Sequence, residues 1–265
     1  MAELTTFTTE QRAGLRELAG VWGGTSFCLI GAAAALAWRI DLRRSTNDLD
    51  ISVSISVDEI TATLAKLKGW RQDPRREHEW LAPGDIKVDV VPAGPTLLAA
   101  GYIVWPVSGR RMTLTGLRLA FTEGVPLEIE PDLFVRVAPI PVIALLKTIS
   151  YQDRPYERER DLQDLTSMLD GYVPPDDERR FAPDVVEARI DYEHASSYLL
   201  GRDLGRLVND QERGAVQRFI ERAFDDHDGW TTQARMARLA PRSWNGDPDQ
   251  LLARIGAFRA GFGGS

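Results

Sequence analysis

Asp48, Asp50 and Asp89 are the residues of this 265-residue chain whose types and spacing point most directly to chemistry. The first two flank Leu49 in Asn47-Asp48-Leu49-Asp50-Ile51. Side chains two apart on a strand share a face, so both carboxylates aim together while Leu49 is directed into a core. Two carboxylates aimed at one point repel each other unless a cation lies between them. Mg²⁺, or Mn²⁺, held by acidic side chains and substrate phosphates is the usual resolution. Asp89 interrupts a second alternating run, Ile86-Lys87-Val88-Asp89-Val90-Val91, and is the third candidate ligand. The pattern predicts metal-dependent phosphoryl chemistry. Each acid also has a plainer reading: Asp48 as a turn residue ahead of a strand, Asp50 as a solvent-facing charge on an edge strand.

The elements that must position these acids can be read from the flanking residues. Thr8 or Thr9 caps a helix reaching Val21, with Leu15, Leu18 and Ala19 on its buried side, and Gly23-Gly24 ends it. Ser26 to Ile30 reads as a strand, and Gly31 to about Trp38 as an Ala-rich helix. A polar bend, Arg43 to Asn47, leads into a strand from Leu49 to Ile55, followed by an amphipathic helix from Val57 to Leu67. Glu77 to Ala82 and Lys87 to Val91, joined by Pro83-Gly84-Asp85, form a hairpin pattern. Four β-prone pieces follow: Met112 to Leu114, Leu117 to Phe121, Leu127 to Ile129 and Phe134 to Val137. The character changes at Pro139. Pro141 to Tyr151 and Glu157 to Leu169 read as helices, Pro174-Pro175-Asp176-Asp177 as a linker, and Asp184 to Leu200, Asp210 to Phe224 and Pro248 to Phe258 as further helices. The expected organisation is an α+β domain, 1–138, with a mixed sheet and flanking helices. A helical domain, 139–265, would follow, in which 139–170 complete the site and 184–265 form a tail.

Composition narrows the function class. A net charge of −7 argues against a surface that grips nucleic acid throughout, without excluding a local basic groove. Arginines 110, 111 and 118, and 154, 158 and 160, could frame such a groove, although such clusters are more often solvated faces. The single cysteine, Cys28, lies in an apolar run and reads as a buried strand residue, which suits a reducing compartment. Met1 to Thr5 lack the features of a signal peptide, and no apolar run reaches the ~18 residues of a membrane span. The expectation is a cytoplasmic protein with no membrane partner. The three histidines are scattered, so a zinc site is not expected.

The order of helix, strand, Gly31-Ala32 turn, helix, Arg44-Ser45-Thr46-Asn47-Asp48-Leu49-Asp50 and a later strand aspartate resembles the nucleotidyltransferase superfamily with the DNA polymerase β-like fold. It is most similar to the AbiEii/AbiGii-type toxin nucleotidyltransferases. The resemblance extends to Lys147 and to Arg160-Asp161-Leu162-Gln163-Asp164-Leu165. It implies transfer of a nucleoside monophosphate from an NTP, ATP among them, to an acceptor hydroxyl, with pyrophosphate leaving. Asp48, Asp50 and Asp89 would be catalytic metal ligands, Asp89 alternatively the base. Backbone N–H groups of Gly31 and Ala32 would receive the triphosphate, helped by Arg44, Ser45 or Thr46. Lys147 would neutralise phosphate charge, with Asp161 or Asp164 orienting it or an arginine. The implied acceptor is RNA, notably a tRNA 3′ end, or a protein, and the implied partner a cognate antitoxin.

Other readings stay open. Lys147 lies off the stripe of Val142, Leu145, Leu146 and Ile149, so a solvated lysine is an alternative. Asp161 and Asp164 could instead pair with Arg158 or Arg160. Gly201-Arg202-Asp203 reads as a helix break with a surface ion pair, and Trp230 and Trp244 as packing residues or base-stacking platforms. A small-molecule nucleotidyltransferase of the aminoglycoside or lincosamide type, and a non-catalytic nucleotide- or partner-binding module, are the two rival functions.

Overall fold

Thr8 opens the first helix by a reciprocal cap. Its hydroxyl accepts from the Gln11 N–H at 3.1 Å, and the Gln11 side chain accepts from the Thr8 N–H at 2.9 Å. The computed structural model describes residues 7–22, 27–224, 231–244 and 247–264. The sequence expectations for Gly23-Gly24, Ser26, His227 and Trp230 lie outside these residues. The chain forms two compact units: residues up to 39 with 44–139, and residues 40–43 with 140 onward.

The first unit runs α1 (Thr9–Trp22), β1 (Phe27–Ile30), α2 (Gly31–Ala37), β2 (Leu49–Val53), α3 (Val57–Leu64), β3 (Arg71–Gln72), β4 (Glu79–Ala82), β5 (Ile86–Pro92), α4 (Pro95–Ala100), β6 (Tyr102–Val104), β7 (Arg111–Thr113), α5 (Leu117–Thr122), β8 (Val125–Glu130) and β9 (Leu133–Val137). Seven strands make one mixed sheet in the order β3-β4-β5-β2-β1-β9-β8, and β6 and β7 pair separately. The expected hairpin is present as antiparallel β4–β5. Strands β2 and β5 are parallel, and β1 is antiparallel to β2. Burial alternates along β5: Ile86, Val88, Val90 and Pro92 are buried, while Lys87, Asp89 and Val91 are half-buried. A one-residue slip would bury the two charges and expose the valines, so the pattern fixes the register.

One strand expectation fails. Leu117 to Phe121 belongs to helix α5, entered through Gly116 at φ 83°. Leu117, Leu119 and Ala120 are buried. The apolar–polar alternation of Leu117-Arg118-Leu119 suits either period over so short a run.

The second unit is helical: α6 (Ile140–Asp153), α7 (Glu159–Gly171), α8 (Pro183–Glu187), α9 (Ala195–Gly205), α10 (Asp210–Phe224), α11 (Thr232–Leu239) and α12 (Pro248–Gly263), with 3₁₀ turns at Glu178–Phe181, Tyr192–His194 and Arg242–Trp244. The helix expected over Asp184 to Leu200 is broken between α8 and α9, where Arg189 takes φ 53°. The expected linker at 174–177 is instead an internal turn. The Arg180 guanidinium donates to the carbonyls of Val173, Pro174 and Tyr192, and Val173 joins Val185, Ala195, Tyr198, Leu199 and Ala257 in a core.

Gly201 is not a helix break. It lies inside α9, and a Cβ there would meet the Phe258 carbonyl carbon at 2.9 Å; a Cβ at Gly261 of α12 would meet the Arg202 nitrogen at the same distance. The two glycines let the backbones of α9 and α12 touch. Trp244 is fully buried and donates to Asp170 at 2.8 Å, which makes it a packing residue. Among the described residues no helix is long and apolar enough to cross a membrane.

Candidate active site

Sheet register brings the predicted acids together. Asp50 on β2 is the direct partner of Asp89 on parallel β5, so their side chains rise from one face, about 4.8 Å apart at the backbone. Asp48 precedes β2 on that same face. The antiparallel register of β4 adds Glu79, the partner of Asp89. Lys87, two residues before Asp89, stands in the middle. Its Nζ is 3.2 Å from Glu79, 3.4 Å from Asp89 and 3.9 Å from Asp48. Arg76 reaches the same Glu79 oxygen at 3.0 Å. Four carboxylates thus share one surface with two cations.

Asp50 lies against the start of α2. Gly31, at φ +66°, has no Cβ; one placed there would sit 2.7 Å from the Asp50 carboxyl carbon. The turn therefore requires glycine twice, for its left-handed backbone and for the space Asp50 occupies. Ala32 is buried. Of the other expected phosphate groups, Thr46 is held through its carbonyl, which accepts from Gln11 Nε2 at 3.2 Å. Arg44 is half-buried, and its Nη1 donates to the Ser45 carbonyl at 3.4 Å. Its neighbour Arg43 is the fixed one: within the second unit it donates to the Ser167 and Thr166 hydroxyls and to the Leu239 and Gln163 carbonyls.

The electrostatics are uneven. Burial pushes the Asp89 carboxyl above its usual pKa; Lys87 pulls it back, and Glu79 and Asp48 push it up again. Its Oδ1 is buried with no hydrogen-bond partner. Burial works against the charge on Lys87, but Asp89, Asp48 and Glu79 together hold its pKa above the ordinary lysine value.

The chemistry of Asp48, Asp50 and Asp89 suits a hard divalent cation: every donor is a carboxylate oxygen, and Asp89 Oδ1 is buried without a hydrogen-bond partner. Among the described residues, no group of three or more His, Cys, Asp or Glu is gathered so that it could hold a metal ion. The centre is arranged around the Lys87 ammonium, which takes the place between Asp48 and Asp89.

Lys147, Asp161 and Asp164 form their own cluster within the second unit. Lys147 Nζ lies 2.9 Å from Asp161 and 2.6 Å from Asp164, and all three are buried. Burial would lower the lysine pKa, but the two aspartates outweigh it and raise it. This corrects the solvated-surface reading of Lys147 and gives both aspartates Lys147 as a partner. It also argues against Lys147 as a phosphate ligand, because the ammonium is enclosed and already matched by two carboxylates. Lys147 ties α6 to α7.

Sequence reasoning missed Lys87 and Glu79 as members of the site. Both had a signal: Lys87 repeats the two-residue spacing of Asp48 and Asp50, and counting outward from the Pro83-Gly84-Asp85 turn pairs 82 with 86 and 79 with 89. A cavity of about 360 Å³ is lined by Phe7, Ala37, Trp38, Arg39, Leu127, Glu128 and Ile129 and includes none of Asp48, Asp50, Glu79 and Asp89. The chain matches no family model and no curated protein.

Proposed function

We propose that this protein is a metal-dependent nucleotidyltransferase that moves a nucleoside monophosphate from an NTP to an acceptor hydroxyl. The observation that carries the reading is the register of Asp50 against Asp89 on parallel strands, with Asp48 on the same face and Asp50 folded against the Gly31 turn. Asp48, Asp50 and Asp89 are the residues that would hold Mg²⁺ or Mn²⁺. Bound there, the ion supplies neutralisation of triphosphate charge and of the charge developing on the leaving pyrophosphate.

The chain's own groups do the rest. Gly31 leaves the space in which Asp50 lies beside the first turn of α2. In its alternative role, as base and not as ligand, Asp89 would use Oδ1, made more basic by burial, to take the proton of the attacking hydroxyl. Lys87 balances the acidic face. Val88 and Val90 anchor β5 in the core and keep Asp89 from moving along the strand.

The resemblance to AbiEii-type toxins favours RNA or protein as acceptor and an antitoxin as partner. One observation favours a second reading: a face with four carboxylates attracts a polycationic small molecule such as an aminoglycoside. Incubation with each α-labelled NTP and Mg²⁺, in the presence of bulk tRNA, cell protein or an aminoglycoside panel, separates the two. Label on a macromolecule supports the toxin reading, and label on an aminoglycoside supports the small-molecule reading. With Asp48→Asn and Asp50→Asn silent and Glu123→Ala active, transfer is assigned to this face. No transfer from any NTP to any acceptor counts against both readings and favours a binding module.

A further inference from the structure

The Lys87 side chain is an unusual neighbour for carboxylates that would hold a divalent cation. Its Nζ is shared by Asp48 and Asp89, which belong to the proposed metal set, and by Glu79, which does not. The contact to Glu79 is the shortest of the three, at 3.2 Å. Glu79 is buried on β4, paired with β5, so it is the less mobile acceptor; it also meets the exposed Arg76 at 3.0 Å. Lys87 keeps more than a quarter of its side chain exposed and rides on a flexible stem, so it is the member of the cluster able to move.

We propose that Lys87 is a built-in counter-cation: its ammonium occupies the Asp48–Asp89 position in the resting protein, gives way to the divalent ion, and is then retained by Glu79. The proposal rests on the nucleotidyltransferase reading and assigns two further positioning residues to that site. Three consequences follow physically. The acids do not repel one another while the site waits for substrate. A single hard cation must outbid an ammonium to enter, so free Mg²⁺ binds weakly and Mg²⁺ carried by a nucleotide binds better. Glu79 acts on the cation through Lys87, by giving the ammonium somewhere to go.

The test is Mn²⁺ binding to the purified full-length chain, read by electron paramagnetic resonance of the free ion, with no nucleotide and no turnover. Lys87→Met is expected to bind Mn²⁺ about fivefold more tightly than wild type, the order of one partly exposed ion pair. Glu79→Gln is expected to bind severalfold more weakly. In the Lys87→Met background, Glu79→Gln is expected to have no further effect, because its route of action is gone. Lys87→Arg, which keeps the charge, should bind like wild type.

Equal or weaker binding by Lys87→Met, with binding still abolished by Asp50→Asn, overturns this proposal and leaves the transferase reading standing. An equal Glu79→Gln penalty in both backgrounds overturns it too, since that is simple charge repulsion through space. Absence of Mn²⁺ binding in wild type and Lys87→Met alike overturns both. A measurement on the unmodified chain covers the case in which Lys87→Met does not fold: acetylation of Lys87, read by peptide mass spectrometry, should increase severalfold when Mg²⁺ is added. Unchanged labelling at Mg²⁺ concentrations that displace bound Mn²⁺ contradicts the exchange.

Discussion

The two units carry the same kind of cluster, a lysine among acidic side chains, built to opposite ends. In the second unit Lys147 touches Asp161 and Asp164 at 2.9 and 2.6 Å and is buried with them. In the first, Lys87 is partly exposed and spans 3.2 to 3.9 Å to three carboxylates, with Asp50 beside them; each cluster also holds one buried carboxylate oxygen without a hydrogen-bond partner, Asp89 Oδ1 here and Asp161 Oδ2 there. The closed cluster has short contacts, no room and a fixed charge, so it serves the fold. The open one has longer contacts and a partly exposed lysine, so its cation is the one able to move. The difference follows from where each lysine sits: inside a helix buried nearly all round, or on the half-exposed face of an alternating strand.

Substitutions sharpen this contrast. Asp50→Asn should remove nucleotidyl transfer by roughly a thousandfold or more, about 4 kcal/mol of transition-state stabilisation, while the urea midpoint changes little. A parallel collapse of stability would mean that the open cluster is structural after all. Lys147→Met should do the reverse. It leaves two buried carboxylates facing each other and should cost about 3–5 kcal/mol in urea unfolding. A loss of activity with unchanged stability would instead restore Lys147 to the chemistry.

Gly31→Ala should cost about 1–2 kcal/mol from the left-handed backbone alone, and activity should fall further because Asp50 is displaced. Asp89→Asn should have the smallest effect on the fold, and in the stabilising direction. The folded pKa of Asp89 lies above the unfolded one, so the native state holds the proton more tightly and stability falls as pH rises from 3.8 through the folded value. In Asp89→Asn that decline should be missing and the melting temperature at pH 7 higher, even as transfer is lost. A lower melting temperature for this variant would contradict the electrostatics assigned to the site.

Much of the first unit was legible in the sequence because its signals are local. The Thr8 cap, the Gly31 turn, the β4–β5 hairpin and the alternation around Asp89 each depend on residues within a few positions of one another. Sheet neighbours that are distant in sequence, such as Asp50 and Asp89, could be expected to meet but not assigned a register. The second unit was less legible. Lys147 reads as off the apolar stripe, yet α6 also buries Ile143, Ala144, Thr148 and Tyr151, and its less buried face runs through Leu146, Ser150 and Asp153 rather than Lys147. Gly201 reads as a breaker because glycine weakens a helix in isolation; only the crossing of α12 explains why it stays inside one. The break before α9 turns on Arg189 in a left-handed conformation, which no residue type announces.

The central claim is that the open acidic face transfers nucleotides, and the most direct measurement is Mg²⁺-dependent release of pyrophosphate from each of the four NTPs. The account predicts release that depends on acceptor, disappears in Asp48→Asn and Asp50→Asn, and persists in a Glu123→Ala control. Release that survives both aspartate substitutions, or that never occurs with any NTP in the presence of RNA, protein or aminoglycoside, would contradict it.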